Sequence, residues 1–375
     1  MADTQQHFDC VVVGLGAMGS ATLYHLARRG VRVLGVEQFS LFHNRGSSHG
    51  PSRVFRTTYE DPLYVDLSLQ ALELWRTLED QSGRSLLHLN GLLAFASQSN
   101  ERFVSQLATV EEMKLPHQVM DGREAMDRFG AFAFEEGTIA FFAEKNGMLL
   151  ADEAIRSMHD LARQNGATVV DDTEVRGIEP NGDLVRLVVG DRVVTADRVV
   201  VTAGPWFQSL CADLDLPLIV TREQKVYFDV DDPERFQRQR MPVFVEYDTA
   251  IYGLPMHSSF GLKVAADHSG ESVDPNRVNR TVDPDYIERI AAWVDRWTTS
   301  VAARPTDSAV CLYTTTPDKD FIIDHHPQLA NVFVAGGFSG HGFKFSILVG
   351  DILADLVLNG STARPIDRFR LARFA

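Results

Sequence analysis

Phe8-Asp9-Cys10-Val11-Val12-Val13 is a β-branched run of the kind that a parallel sheet buries on both faces. Glycines follow it, and then Met18, Ala21, Leu23 and Leu26 face one way on a predicted helix, Ala17 to Arg29, which Gly30 closes. Val31 to Val36 reads as the next strand, so a strand, turn, helix and strand are complete by Glu37. Helical spacing returns over Tyr64 to Leu78, Asn100 to Glu112 and Ala151 to Gln164. Strand patterns occupy Leu87 to Phe95, parts of Ala131 to Leu150, and Thr168 to Asp171. An acidic turn at Glu179 to Asp183 precedes a predicted hairpin, Leu184 to Val194, and then a buried strand from Arg198 that stops at Gly204-Pro205.

From Leu216 to Val310 the pattern changes to alternating strands between polar turns, among them Lys225 to Val230 and Ile251 to Leu254, with one helix near Tyr286 to Trp297. The last stretch returns to the opening style. Val332 to Ala335 is a buried strand, Gly336 to Gly342 a glycine-rich loop, and Phe345 to Leu358 an apolar helix. An end that resembles the beginning predicts an α/β fold with a discontinuous, Rossmann-like nucleotide-binding domain over 1–86, 146–215 and 314–375. A second, α+β domain on a mostly antiparallel sheet is expected over 87–145 and 216–313.

A chain of 375 residues suits two joined domains, because single cores stop growing beyond roughly 250 to 300 residues. The net charge of -15 would repel nucleic-acid phosphates and anionic membrane surfaces, so neither is an expected partner. Cys10, Cys211 and Cys311 are too scattered for a metal site or a disulfide framework, which fits a reducing compartment. No export signal, membrane-length apolar run or peroxisomal carboxyl terminus is read, so a cytoplasmic location is expected. No metal is expected either.

The glycines of Gly14-Leu15-Gly16-Ala17-Met18-Gly19 would let the backbone approach a pyrophosphate at a helix N-terminus, where free amides and the dipole favour negative charge. Glu37, at the end of the second strand, would accept from an adenosine ribose hydroxyl and disfavours a 2′-phosphate. A second loop, Gly336-Gly337-Phe338-Ser339-Gly340-His341-Gly342-Phe343-Lys344, would bring amides and a cation to an electron-rich ring such as a reduced flavin. His49, Arg53, Arg56 and Tyr59 gather in one polar stretch, suited to a carboxylate or to plain solvation. Lys263 is a lone cation in an apolar strand, which calls for a partner or a buried role. Alternation puts Ala309, Cys311 and Tyr313 on one face of their strand, although a free strand cysteine also serves as a small hydrophobe.

Together these segments resemble the monomeric sarcosine oxidase and N-methyltryptophan oxidase family of amine-oxidising flavoproteins. The resemblance spans nearly the whole chain. It is carried by Gly46-Ser47-Ser48-His49-Gly50 with the two arginines after it, Ala309-Val310-Cys311-Leu312-Tyr313, Asp320-Phe321-Ile322-Ile323-Asp324, and Gly337 to Phe345. It implies FAD, joined through its 8-methyl carbon to Cys311, with Gly340, Gly342 and Lys344 beside the ring. Arg56 and Lys344 would hold a substrate carboxylate, and His49 and Arg53 would lie by the flavin. Tyr252 and Tyr313 would shape the cavity, and Lys263 would promote oxygen reduction. The implied activity is oxidation of the C–N bond of a secondary, N-methyl or cyclic amino acid to an imine, with O2 reduced to hydrogen peroxide. An amine dehydrogenase with another electron acceptor, or a catalytically silent flavin-binding protein, are the alternatives, and a monomer or small homo-oligomer is expected.

Two positions depart from the family pattern. Asp267 stands where a histidine is usual, four residues after Lys263, with His268 displaced by one, and Ser48-His49-Gly50-Pro51 replaces His-His-Gly-Asp. The first departure bears on which amine is accepted.

Overall fold

The computed structural model describes residues 6–257, 261–300 and 303–374. The terminal tetrapeptide considered for a peroxisomal address ends outside them, at Ala375. Among the described residues three sheets organise the chain, two of them large.

The first large sheet centres on Gln6–Val13, which runs parallel to Val33–Val36 on one side and to Arg192–Val201 on the other. Thr168–Val170 extends one edge in parallel, as its β-branched composition suggests. Arg192–Val201 is a single strand where the sequence suggested a hairpin arm and a separate strand. Its first half pairs antiparallel with Leu184–Val189 and its second half parallel with Val332–Gly336, so a change of partner sits inside one element. Helices Ala17–Arg28, Ala151–Gln164 and Ser346–Asn359 pack over this sheet through a shared core that includes Leu23, Leu26, Met158, Ile352 and Leu353. Gly350 meets the backbone of Ala21, and a Cβ there would lie 2.5 Å from the Ala21 carbonyl carbon.

The second large sheet is mostly antiparallel. Its spine is Ile219–Asp229 against Arg304–Thr315, far longer than the Lys225 to Val230 read from the sequence. The polar run Arg222-Glu223-Gln224 inside it hides the strand, because these side chains are buried by pairing rather than by apolarity. Arg222 binds Asp283 at 2.9 Å, and Gln224 binds the same carboxylate at 2.8 Å. Leu262–Ala266, Ile251–Leu254, Val243–Glu246 and Leu92–Ser97 continue the sheet, and helix Pro284–Trp297 covers it with Tyr286, Ile290 and Trp293. The Leu87 to Phe95 strand is split into Leu87–His88 and Leu92–Ser97 around Gly91, whose φ is +82°.

A third, small sheet joins Ser52–Phe55 and Leu87–His88 to Gly147–Leu150. Ser52–Phe55 therefore is a strand inside the stretch read as a polar loop. Helix Gly122–Phe129 was not anticipated, although Asp121 and Glu124 form a reciprocal capping box at its start.

Candidate active site between the glycine turn and two sheets

One cavity of about 730 Å³ runs from the first glycine turn to the second glycine loop, floored by both large sheets. Of the residues singled out for a site, all border it except Gly19, which lies just behind the turn, and Tyr59, which lies under Arg56.

At the nucleotide end the backbone does the shaping. Gly14 has φ +88°, and its N–H donates to the Val36 carbonyl at 2.8 Å, closing the turn on the second strand. A Cβ on Gly19 would lie 1.8 Å from the Gly14 carbonyl oxygen, so that position admits only glycine without moving the backbone. The helix beginning at Ala17 has no side-chain cap of its own. Instead the Ala17 N–H donates to the Ser48 hydroxyl at 2.9 Å, leaving the rest of the first turn for a ligand anion. Glu37 accepts from the N–H of Leu15 at 2.8 Å and of Phe39 at 3.1 Å, so the acid fixes the turn while still bordering the cavity.

Side chains dominate the other end. Cys311 and Tyr313 border the cavity from Arg304–Thr315, as alternation predicts, and Val310 is buried away from it, while the neighbouring Leu312, also buried, borders the cavity too. Gly340, at φ +77°, allows Tyr313 to lie against the glycine loop, since a Cβ there would meet its ring at 2.3 Å. A Cβ on Gly342 would likewise lie 2.5 Å from the Phe338 Cβ. Tyr252 borders the same space from Ile251–Leu254. Burial raises both phenols, Tyr313 well above its ordinary value, so they stay protonated.

Five cations converge here: Arg53, Arg56, Lys225, Lys263 and Lys344. Arg53 donates to the carbonyls of Ser47, His49 and Ser52 at 2.7, 2.8 and 2.9 Å. Arg56 reaches the Tyr247 hydroxyl at 3.4 Å, with its guanidinium 4.4 Å over the Tyr59 ring. Lys263 donates to the Ser52 carbonyl at 3.0 Å, Lys344 to the His341 carbonyl at 2.7 Å, and Lys225 to the His49 carbonyl at 3.4 Å. Among the described residues no carboxylate pairs with any of the five. Burial, and then the neighbouring cations, hold Lys263 and Lys344 well below the ordinary lysine value and bring Lys225 to about 8. The same forces push His49 down to about 2, so its imidazole is neutral and its ring nitrogen, 3.1 Å from the Val310 carbonyl, serves as a donor.

Buried cations without counterions are costly unless something negative joins them. Thr314 Oγ1 and His341 Nδ1, both on the cavity wall, also lack hydrogen-bond partners among the described residues. A dinucleotide whose phosphates meet the glycine turn and whose ring becomes electron-rich at the cationic end fits this wall. The residues that would hold it are Gly14, Gly16 and Glu37 at one end and Gly340, Gly342 and Lys344 at the other.

Lys225 and Ser48 are wall residues that received no role from the sequence. Lys225 gave a partial signal, a cation followed by Val226-Tyr227-Phe228, but the polar residues before it made it look like a strand end. Ser48 stood out only as part of the Gly46 to Gly50 segment, with no sign of this contact, because its closeness to Ala17 depends on folding.

A family model described as FAD dependent oxidoreductase matches residues 9–356. The chain is 35% identical to the monomeric sarcosine oxidase of Bacillus sp. (strain NS-129), covering 98% of this chain and 97% of that one. It is 32% identical to the peroxisomal sarcosine oxidase of Homo sapiens, over 100% of this chain and 98% of the relative. Among solved structures, the open form of NikD, an amino acid oxidase essential for nikkomycin biosynthesis, superposes with a TM-score of 0.87. The two are 24% identical over 98% of each chain.

Proposed function

The chain belongs to the FAD-dependent oxidoreductase family, and from that premise we propose that it is an oxidase of secondary amino acids. It removes a hydride equivalent from the N-methyl or α-carbon of its substrate. The resulting imine is hydrolysed by water, and O2 takes up the two electrons to give hydrogen peroxide. FAD, when bound, supplies the two-electron relay between amine and oxygen. The observation that carries this reading is the cluster of five cations, three of them buried lysines, without carboxylate partners among the described residues, on the same cavity as a glycine turn shaped for a pyrophosphate.

Each side chain then has a physical task. Arg56 and Lys344 clamp the substrate carboxylate, and charge-assisted hydrogen bonds from two directions fix which carbon faces the ring. The same cations disfavour the protonated amine, because like charges in a desolvated site repel, and only the free amine can be oxidised. Arg53 and His49 hold the wall beside the ring, and Tyr252 and Tyr313 limit the space around the amine. Lys263 faces the negative charge that develops as oxygen is reduced. Cys311 would hold the flavin as a thioether: the thiol hydrogen and one 8-methyl hydrogen would leave as protons, and the two electrons released would reduce the flavin, which O2 would reoxidise. Supporting this, Cys10 and Cys211 are buried away from the cavity, with thiols that burial raises, Cys211 to about 12, whereas half-buried Cys311 borders it. We further take 1–86, 146–215 and 314–375 as the FAD domain and 87–145 with 216–313 as the substrate domain. Among the described residues no helix is long and apolar enough to cross a membrane; we take the site of action as cytoplasmic, which the widely spaced cysteines support, and the active species as a monomer or small homo-oligomer.

The test is anaerobic reduction of the flavin by sarcosine, N-methyltryptophan and pipecolate, followed by admission of air. Bleaching by at least one amine, fast recovery of colour and one hydrogen peroxide per imine are expected. No bleaching by any secondary amine would remove the enzymatic reading, and slow recovery in air would replace oxygen with another acceptor.

A further inference from the structure

Asp267 follows the strand Leu262–Ala266 and is half-buried on the cavity wall, beside Tyr252 and Tyr313. Its backbone N–H donates to the Ala250 carbonyl at 2.8 Å, which fixes where the carboxylate stands. Among the described residues its side chain has one hydrogen bond, a long one from the Tyr313 hydroxyl to Oδ1 at 3.4 Å, and Oδ2 has none. The neighbouring acid Glu246 differs. Its oxygens are both engaged by the N–H groups of Asp248 and Thr249 and by the Thr249 hydroxyl.

Asp267 lies within electrostatic reach of Arg56 and Lys344 but pairs with neither. A carboxylate there opposes the substrate's own carboxylate at the clamp. Were it to hold the reacting nitrogen, it would keep that nitrogen protonated and unreactive. Both penalties vanish for a substrate that brings a second cation to Asp267, because the acid then gains a partner and leaves the reacting amine alone. We propose that Asp267 is a specificity-determining residue, and that the substrate is a secondary amino acid whose side chain ends in an ammonium or guanidinium group. This rests on the amine-oxidase reading above. The carboxylate sits at the clamp, the reacting amine lies among the cations, and the side chain's charge meets Asp267 on the wall beside Tyr313.

The experiment compares Nα-methyl-lysine, its Nε-acetyl derivative and Nα-methyl-norleucine as anaerobic reductants of the holoenzyme and of Asp267→Asn. Asparagine keeps the shape, and the single long bond from Tyr313 leaves little fold to lose. With the native protein, kcat/KM for Nα-methyl-lysine should exceed that of the other two by about tenfold or more, the usual worth of a hydrogen bond to a charged group. In Asp267→Asn the preference should collapse, with the uncharged amines improving as repulsion of their carboxylates is removed. Equal reduction by all three amines in the native protein overturns this inference while leaving the oxidase reading intact. A lysine preference that survives in Asp267→Asn also overturns it. If no secondary amine reduces the flavin, both readings fall together.

Discussion

The two ends of the cavity solve opposite problems. Around Gly14 and Glu37 the polar groups largely satisfy one another: amides meet a carboxylate, a hydroxyl meets a helix amide, and glycines remove every side chain that would interfere. Around Lys263 and Lys344 the protein leaves charges short of partners and buries them. The first end is a mould that is complete before its ligand arrives. The second is an electrostatic field waiting for negative charge, and preorganised charge of that kind lowers the cost of forming an anion during reaction.

The contrast predicts that damage at the cationic end costs chemistry while damage at the glycine end costs structure. The largest effect is all-or-none: Cys311→Ser should abolish retention of flavin by acid-precipitated protein, read as yellow supernatant over a colourless pellet. Retained colour in that pellet would remove the thioether. Next, Lys263→Met should slow reoxidation by O2 about 10²- to 10³-fold, the range typical for loss of one group that stabilises developing charge. Anaerobic reduction by the amine should fall much less, and equal losses in both half-reactions would assign Lys263 to substrate binding instead. At the other end, Gly19→Ala should lower stability by about 1–3 kcal/mol, as overpacking does, with loss of bound FAD on mild heating. An unchanged melting temperature would mean the turn is softer than its 1.8 Å approach implies.

The smallest effect concerns pH. Burial lowers folded Lys225 to about 8 from an ordinary 10.5, so between these values the unfolded chain holds a proton that the folded chain has released. Stability attributable to this group therefore rises with pH across that window. The melting temperature of flavin-free protein, relative to Lys225→Met, should climb from pH 8 to 10.5. A flat difference would show that Lys225 already has an anionic partner.

The same contrast explains what could be read from the sequence. The glycine turn and Glu37 lie close together along the chain and act through backbone geometry, so their spacing almost is their structure. The cationic end assembles from six separate segments, and these were visible only one at a time: His49, Arg53 and Arg56 as a polar stretch, Lys263 as a charge in an apolar run, Cys311 and Tyr313 as alternate positions on a strand. That Lys225 joins them depends on the pairing of Ile219–Asp229 with Arg304–Thr315, which no local pattern specifies. Strand limits failed for related reasons. Arg192–Val201 changes partner midway, and Arg222, Glu223 and Gln224 are buried by bonds to residues distant in sequence, so hydrophobic alternation marks neither.

Cys311 belongs to one large sheet and the Gly14 turn to the other. A single elongated cofactor seated on both would bridge them like a strut, so any hinge motion between the sheets would flex the chromophore's surroundings. Absorbance and fluorescence of the yellow protein would then serve as a built-in gauge of that motion, without any added label.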